Sequence, residues 1–149
     1  PSKPLLDSYY SFKDSIFEAQ DLPENFDNNS TIKPFDFDGD GDLDLFVGNY
    51  TVTNDFGKIP DSYLLVNDKG KFSLLEPNPF KKVGMVTDGV WQDFDKDGMT
   101  DLIIIGEWMS PKFFKNNGTN FEQKNLAKNL NGLWQAIEAF DIDKDGDTD

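Results

Sequence analysis

Fourteen of the 28 acidic residues of this 149-residue chain fall in three short clusters that share one pattern. The first lies in "FDFDGDGDLDLFVGN", where Asp36, Asp38, Asp40, Asp42 and Asp44 alternate along residues 36–44. Residues 93–101 read "DFDKDGMTD" and residues 141–149 read "DIDKDGDTD". All three fit D-x-D-x-D-G-x-x-D, with Gly41, Gly98 and Gly146 at the sixth position. Carboxylates this close repel one another unless a cation neutralises them. Calcium suits them, because it takes six to eight oxygen ligands and accepts carboxylate, carbonyl and water together. Magnesium demands stricter octahedral geometry and keeps its waters. Zinc prefers Cys and His, and the chain has neither.

On a tightly curved loop, positions 1, 3 and 5 supply carboxylates. These are Asp36, Asp38 and Asp40; Asp93, Asp95 and Asp97; and Asp141, Asp143 and Asp145. Position 7 offers its backbone carbonyl, at Asp42, Met99 or Asp147; the Met99 side chain is a poor calcium ligand, whereas its carbonyl is a good one. Position 9 closes each loop with Asp44, Asp101 or Asp149. Glycine at position 6 allows the backbone a positive φ. Up to three Ca2+ ions are expected, and three would bring the formal charge from −14 to −8. The EF-hand begins the same way but needs a bidentate Glu at position 12 between two helices. Position 12 is Val47 in the first loop and Ile104 in the second, each inside an apolar run. The plainer reading of solvated acidic turns weakens with each recurrence of the pattern. Calcium is expected to be structural, because folding and metal binding are coupled when a loop carries several unpaired carboxylates.

The elements that must hold these loops recur with them. The loops start 57 and 48 residues apart, in or near the period range of propeller blades and solenoids. A second marker, N-x4-F with an internal Gly, appears as "NDKGKF" at 67–72 and "NNGTNF" at 116–121, a hairpin-turn signal. Each repeat reads as four short strands. One enters the acidic loop ("GVWQDF"), one leaves it ("LDLFVGN", "DLIIIGEW"), and two form the hairpin ("SYLLVNDKGKFSLL", "KFFKNNGTNFEQ"). Residues 43–47 are expected to run into the core directly after the last ligand, and 102–105 to be buried on both faces. "FEAQDLPENF" from Phe17 resembles "FEQKNLAKNL" from Phe121, so the chain is expected to open on the tail of an earlier repeat. The first repeat is longer than the second, and the excess falls near residues 50–62, read as an extended surface loop.

The fold class is therefore all-β, with four-stranded antiparallel blades in one array over 1–149. Residues 1–31 end a preceding blade, 32–80 and 81–130 form blades, and 131–149 start a third. Because two blades and fragments cannot close a propeller, the chain is expected to be a piece of a longer protein or to be completed by other chains.

The nine-residue loop feeding "LDLFVGN" and "TDLIIIGEW" resembles the FG-GAP/VCBS repeats of integrin-α-like β-propellers. The likeness is close over 84–122 and continues in "GLWQAIEAFDIDKDGDTD". The literal Phe-Gly and Gly-Ala-Pro signatures are missing, which favours the VCBS branch of large bacterial surface proteins that often carry an ASPIC/UnbV segment. The resemblance implies a propeller, commonly of seven blades, with calcium held by loop positions 1, 3, 5, 7 and 9. It also implies a secreted or cell-surface location, in particular an exported Gram-negative outer-membrane protein with an adhesive role.

A net charge of −14 argues against nucleic acid and anionic membranes as partners. No run reaches the roughly 18 apolar residues of a spanning helix. The expected function is protein or glycan binding, or scaffolding, within a larger surface complex. The alternatives are a propeller-type lyase or hydrolase acting on carbohydrate, or an accessory subunit of an outer-membrane nutrient importer. No catalytic constellation is visible and no enzyme activity is expected. Glu107 and Trp108 with Tyr50 can form an acid-plus-aromatic sugar site; against this stands the reading that Trp108 packs between blades and Glu107 is solvated. Trp91 and Trp134 are expected in the core.

Overall fold

The computed structural model describes residues 7–55, 57–124 and 130–149. Phe56, residues 1–6 of the expected first segment and the "NLAKN" part of the match from Phe121 lie outside the described residues. Among the described residues there is no helix.

Two sheets carry the repeat. The first is β3 (Asp27–Phe35), β4 (Asp44–Val52), β5 (Tyr63–Asp68) and β6 (Lys71–Leu74), paired antiparallel in chain order. The second is β7 (Met85–Gln92), β8 (Asp101–Met109), β9 (Lys112–Asn116) and β10 (Phe121–Lys124), paired the same way. Before them, β1 (Ser8–Lys13) and β2 (Ile16–Asp21) make a separate hairpin. After them, β11 (Gly132–Leu133) pairs with the end of β8. β3 begins at Asp27, ahead of the expected start at Ile32.

The registers coincide: Phe35 faces Asp44 as Gln92 faces Asp101, and Leu45 faces Leu65 as Leu102 faces Phe114. Each first strand carries a register shift near its start, at Ser30 and at Thr87. The hydroxyl at each shift reaches two carbonyls. Ser30 Oγ lies 2.9 Å from the Gly48 oxygen on its own sheet and 2.6 Å from the Val86 oxygen on the next. Thr87 Oγ1 lies 3.5 Å from the Ile105 oxygen and 2.7 Å from the Trp134 oxygen. Trp134 thus takes the place relative to the second sheet that Val86 takes relative to the first.

The core lies between the sheets. Phe46 and Leu64 of the first and Val86, Leu102, Ile104 and Phe114 of the second meet around Phe80, which precedes β7 and is fully buried. Phe80 contacts the rings of Phe46, Phe114 and Phe121 at centroid distances of 5.2, 4.9 and 5.4 Å. Residues 102–105 are buried throughout, as their apolar run predicts. Gly48 lets the sheets approach closely: a Cβ there would sit 2.6 Å from Val86 Cγ1 and 2.7 Å from Thr31 Cγ2. Lys33 and Asp88 tie the sheets electrostatically, with Nζ 2.7 Å from Oδ1.

Three details depart from the sequence reading. Leu43 is 57% exposed, and burial begins one residue later, at Asp44. The β4 strand continues through Tyr50 to Val52, so the 50–62 excursion starts as sheet. Its end is fastened down: Pro60 and Ser62 are buried, and Ser62 Oγ accepts the Asn49 N–H at 3.0 Å. Turn-rich composition does not reveal that Asn49 also donates to the Asp61 carbonyl.

Candidate metal centres

Each acidic loop bridges the first and second strands of its repeat, between Phe35 and Asp44 and between Gln92 and Asp101. The first aspartate organises the turn. Asp36 accepts the N–H groups of Gly39, Asp40 and Gly41 at 2.8, 3.1 and 3.0 Å. Asp93 accepts those of Asp97 and Gly98, and Asp141 those of Asp145 and Gly146. The fifth position accepts the N–H of the seventh in every loop: Asp40 from Asp42, Asp97 from Met99, and Asp145 from Asp147. Glycine at position 6 has φ of +96, +89 and +95°. Position 4 also has positive φ, at Gly39, Lys96 and Lys144. Only the first loop reveals that requirement by residue type.

The last aspartate closes the loop. The N–H at position 2 donates to it in all three: Phe37 to Asp44 at 2.9 Å, Phe94 to Asp101 at 3.4 Å, Ile142 to Asp149 at 2.9 Å. In the two complete repeats its other oxygen accepts the N–H of the hairpin asparagine, Asn67 or Asn116, at 2.8 Å each. Asp44 is completely buried and Asp101 nearly so. Burial pushes both carboxyls above their ordinary value, neighbouring loop aspartates add to this, and the two N–H donors oppose it.

The asparagines are the functional residues that sequence reasoning passed over as turn signals. Asn116 is 3% exposed. Its amide donates to the Thr100 and Phe37 carbonyls at 3.1 and 3.2 Å, and its Oδ1 accepts the Gly118 N–H at 2.8 Å. Asn67 likewise donates to Leu43 O and accepts from Gly70 N. Their recurrence beside each loop was the available signal.

Carboxylate oxygens of Asp36, Asp38 and Asp40 lie within 4.8 Å of one another, as do those of Asp93, Asp95 and Asp101, and those of Asp141, Asp143 and Asp149. Asp44, Asp97 and Asp145 stand outside these trios, as do the position-7 residues Asp42, Met99 and Asp147. The Asp42 carboxylate instead accepts the Lys69 N–H at 2.7 Å, and the Met99 side chain is exposed. The donors fit calcium: all are hard oxygens, and each trio leaves capacity for carbonyls and water. The second loop already receives a cation. Lys115 Nζ contacts Asp95 and lies 2.8 Å from Asp97, which holds the Asp97 carboxyl below its ordinary value. The residue at the matching register of the first repeat is Val66.

At the other end of β4 and β8, Tyr50 Oη donates to Glu107 Oε2 at 2.7 Å and Gln135 Nε2 to Oε1 at 2.9 Å. These bonds lower the Glu107 pKa, so its carboxyl is ionised. Trp108 is 76% exposed, contrary to the expectation that it packs between blades. Trp134 is exposed too, because it lies across Gly132 at the surface, with Nε1 donating to Leu130 O. Trp91 meets its expectation: it stacks on Phe35 at 5.1 Å and donates to Lys33 O across the sheets.

A four-stranded antiparallel sheet repeated along the chain is the architecture of a β-propeller blade. The family model described as FG-GAP-like repeat matches twice, over residues 36–104 and 93–149. The chain belongs to the FG-GAP-like repeat family, and its sheets are propeller blades. Repeats of this family are typical of extracellular or cell-surface proteins. No helix among the described residues is long and apolar enough to cross a membrane. Comparison with curated proteins and with solved structures finds no match.

Proposed function

We propose that this chain is a calcium-stabilised propeller module of a secreted or surface protein, and that it binds a protein or glycan partner. The observation that carries the calcium reading is the recurrence of three aspartate trios, in the second of which Asp95 already receives the Lys115 ammonium. Asp36, Asp38 and Asp40 would hold the ion in the first loop, Asp93, Asp95 and Asp101 in the second, and Asp141, Asp143 and Asp149 in the third. The ion would supply the positive charge that offsets repulsion within each loop. The role is binding rather than catalysis, since half the acids serve the loops. An exported bacterial setting, with an ASPIC/UnbV companion segment, belongs to the same proposal.

Calcium titration with thermal and urea unfolding tests this. For extracellular-class sites of Kd about 10⁻⁴–10⁻³ M, about 5 mM calcium stabilises by about 1–2 kcal/mol per site. The expected result is a higher midpoint that EDTA reverses and equimolar magnesium does not reproduce. An unchanged midpoint contradicts the proposal.

A further inference from the structure

The end of the blades opposite the acidic loops carries a groove of about 860 Å³, within the range of small-ligand sites. Tyr50, Glu107 and Trp108 line it, together with Lys82 and Lys112. Trp108 has φ of +58°, an outlier for so bulky a residue. Its cause is a β-bulge. β11 pairs Gly132 with Met109 and Leu133 with Glu107, which leaves Trp108 as the unpaired residue. A bulge re-aims a side chain, and this one turns an indole out of the sheet. A large aromatic held exposed in an unfavourable conformation is what a binding platform requires and what a packing role does not.

Beside the indole, the Glu107 carboxylate is fixed by one donor on each oxygen, from Tyr50 and Gln135. A carboxylate has about four acceptor sites, so two remain for hydroxyl donors. Flat aromatic face plus oriented acceptor matches a pyranose, whose C–H face stacks while its hydroxyls donate. The groove also draws on the scarce cations of a chain with twice as many acids as bases. Lys82 is engaged by Asp61 and the Ile59 carbonyl. Lys112 has no ion-pair partner within 4.0 Å among the described residues.

Resting on the reading of this chain as a binding module, we infer that the groove binds an acidic oligosaccharide. A pyranose stacks on Trp108, its hydroxyls donate to Glu107, and a uronate carboxylate meets Lys112.

The test uses the intact protein at fixed free calcium, with tetragalacturonate and the neutral cellotetraose as probes, read by calorimetry and tryptophan fluorescence. The uronate should bind about tenfold more tightly than the neutral sugar. Trp108→Gly should abolish binding while leaving the thermal midpoint equal or higher, because glycine accepts the positive φ. Glu107→Gln should weaken binding of both sugars, and Lys112→Gln should remove the preference for acid. Failure of tetragalacturonate to bind, or undiminished binding by Trp108→Gly, overturns the site. Equal binding of both sugars overturns the acidic assignment. A calcium titration of the same protein without sugar, read by thermal unfolding, tests the module reading separately: an unchanged midpoint there refutes that reading whatever the sugars do.

Discussion

Replacing Asn116 with alanine tests whether the hairpin asparagine locks the acidic loop to the blade. The side chain makes three hydrogen bonds: to Thr100 O, to Phe37 O and from Gly118 N. Phe37 belongs to the first loop, so the residue also joins one repeat to the next. Each bond contributes about 0.5–1.5 kcal/mol net, and a buried carbonyl left without a partner costs about 1–3 kcal/mol. Asn116 is 3% exposed, so water replaces few of these bonds. The expected loss is about 2–4 kcal/mol, a large share of the roughly 5–15 kcal/mol typical of a folded domain. Asn67→Ala is the internal control, because its bond to the Leu43 carbonyl lies at the exposed surface. It should cost at least about 1 kcal/mol less, since water can take over that bond. Urea unfolding with and without calcium measures both. Asn116→Ala should also reduce the calcium-dependent gain, since the Asn116 side-chain amide holds the carbonyl of Thr100, the residue directly before Asp101. A loss below about 0.5 kcal/mol, or equal losses for the two variants, would refute the argument.

Lys115→Val, which copies the matching Val66, should raise calcium affinity at the second loop by removing a competing cation; an unchanged calorimetric isotherm counts against this. Phe80→Ala should cost about 3–5 kcal/mol, because the fully buried ring touches three others across the core; denaturant midpoints decide. At Asp88, burial raises the pKa, but the Lys33 ammonium and the N–H groups of Gly89 and Ile137 outweigh it and hold the carboxyl below its ordinary value. A depressed folded pKa stabilises above the unfolded value, and that contribution is lost as pH falls through the folded one. Asp88→Asn should therefore cost stability at neutral pH and flatten the acid-side decline below about pH 4 in urea titrations; parallel pH curves for parent and variant would contradict it.

Much of this protein was legible from residue types alone. Alternating aspartates, a glycine at position 6 and an apolar run after position 9 establish loop, turn and strand, because each rests on local chemistry within about ten residues. The hairpins at 67–72 and 116–121 were visible for the same reason. Tertiary structure alone decided what joins these pieces. Asp44 reaches Asn67 across 23 residues and Asp101 reaches Asn116 across 15, so no fixed spacing could announce the bond. Lys115 enters the second loop only because strand register carries it there. The Ser30 and Thr87 hydroxyls find the Val86 and Trp134 carbonyls through a register shift that composition does not encode. The tryptophans show the same division. Hydrophobicity assigns Trp91, Trp108 and Trp134 alike to the core, but only Trp91 lies between two sheets, while the bulge at Trp108 turns an indole of the same chemistry toward solvent. Burial depends on which face of which strand a residue occupies, and long-range pairing sets that.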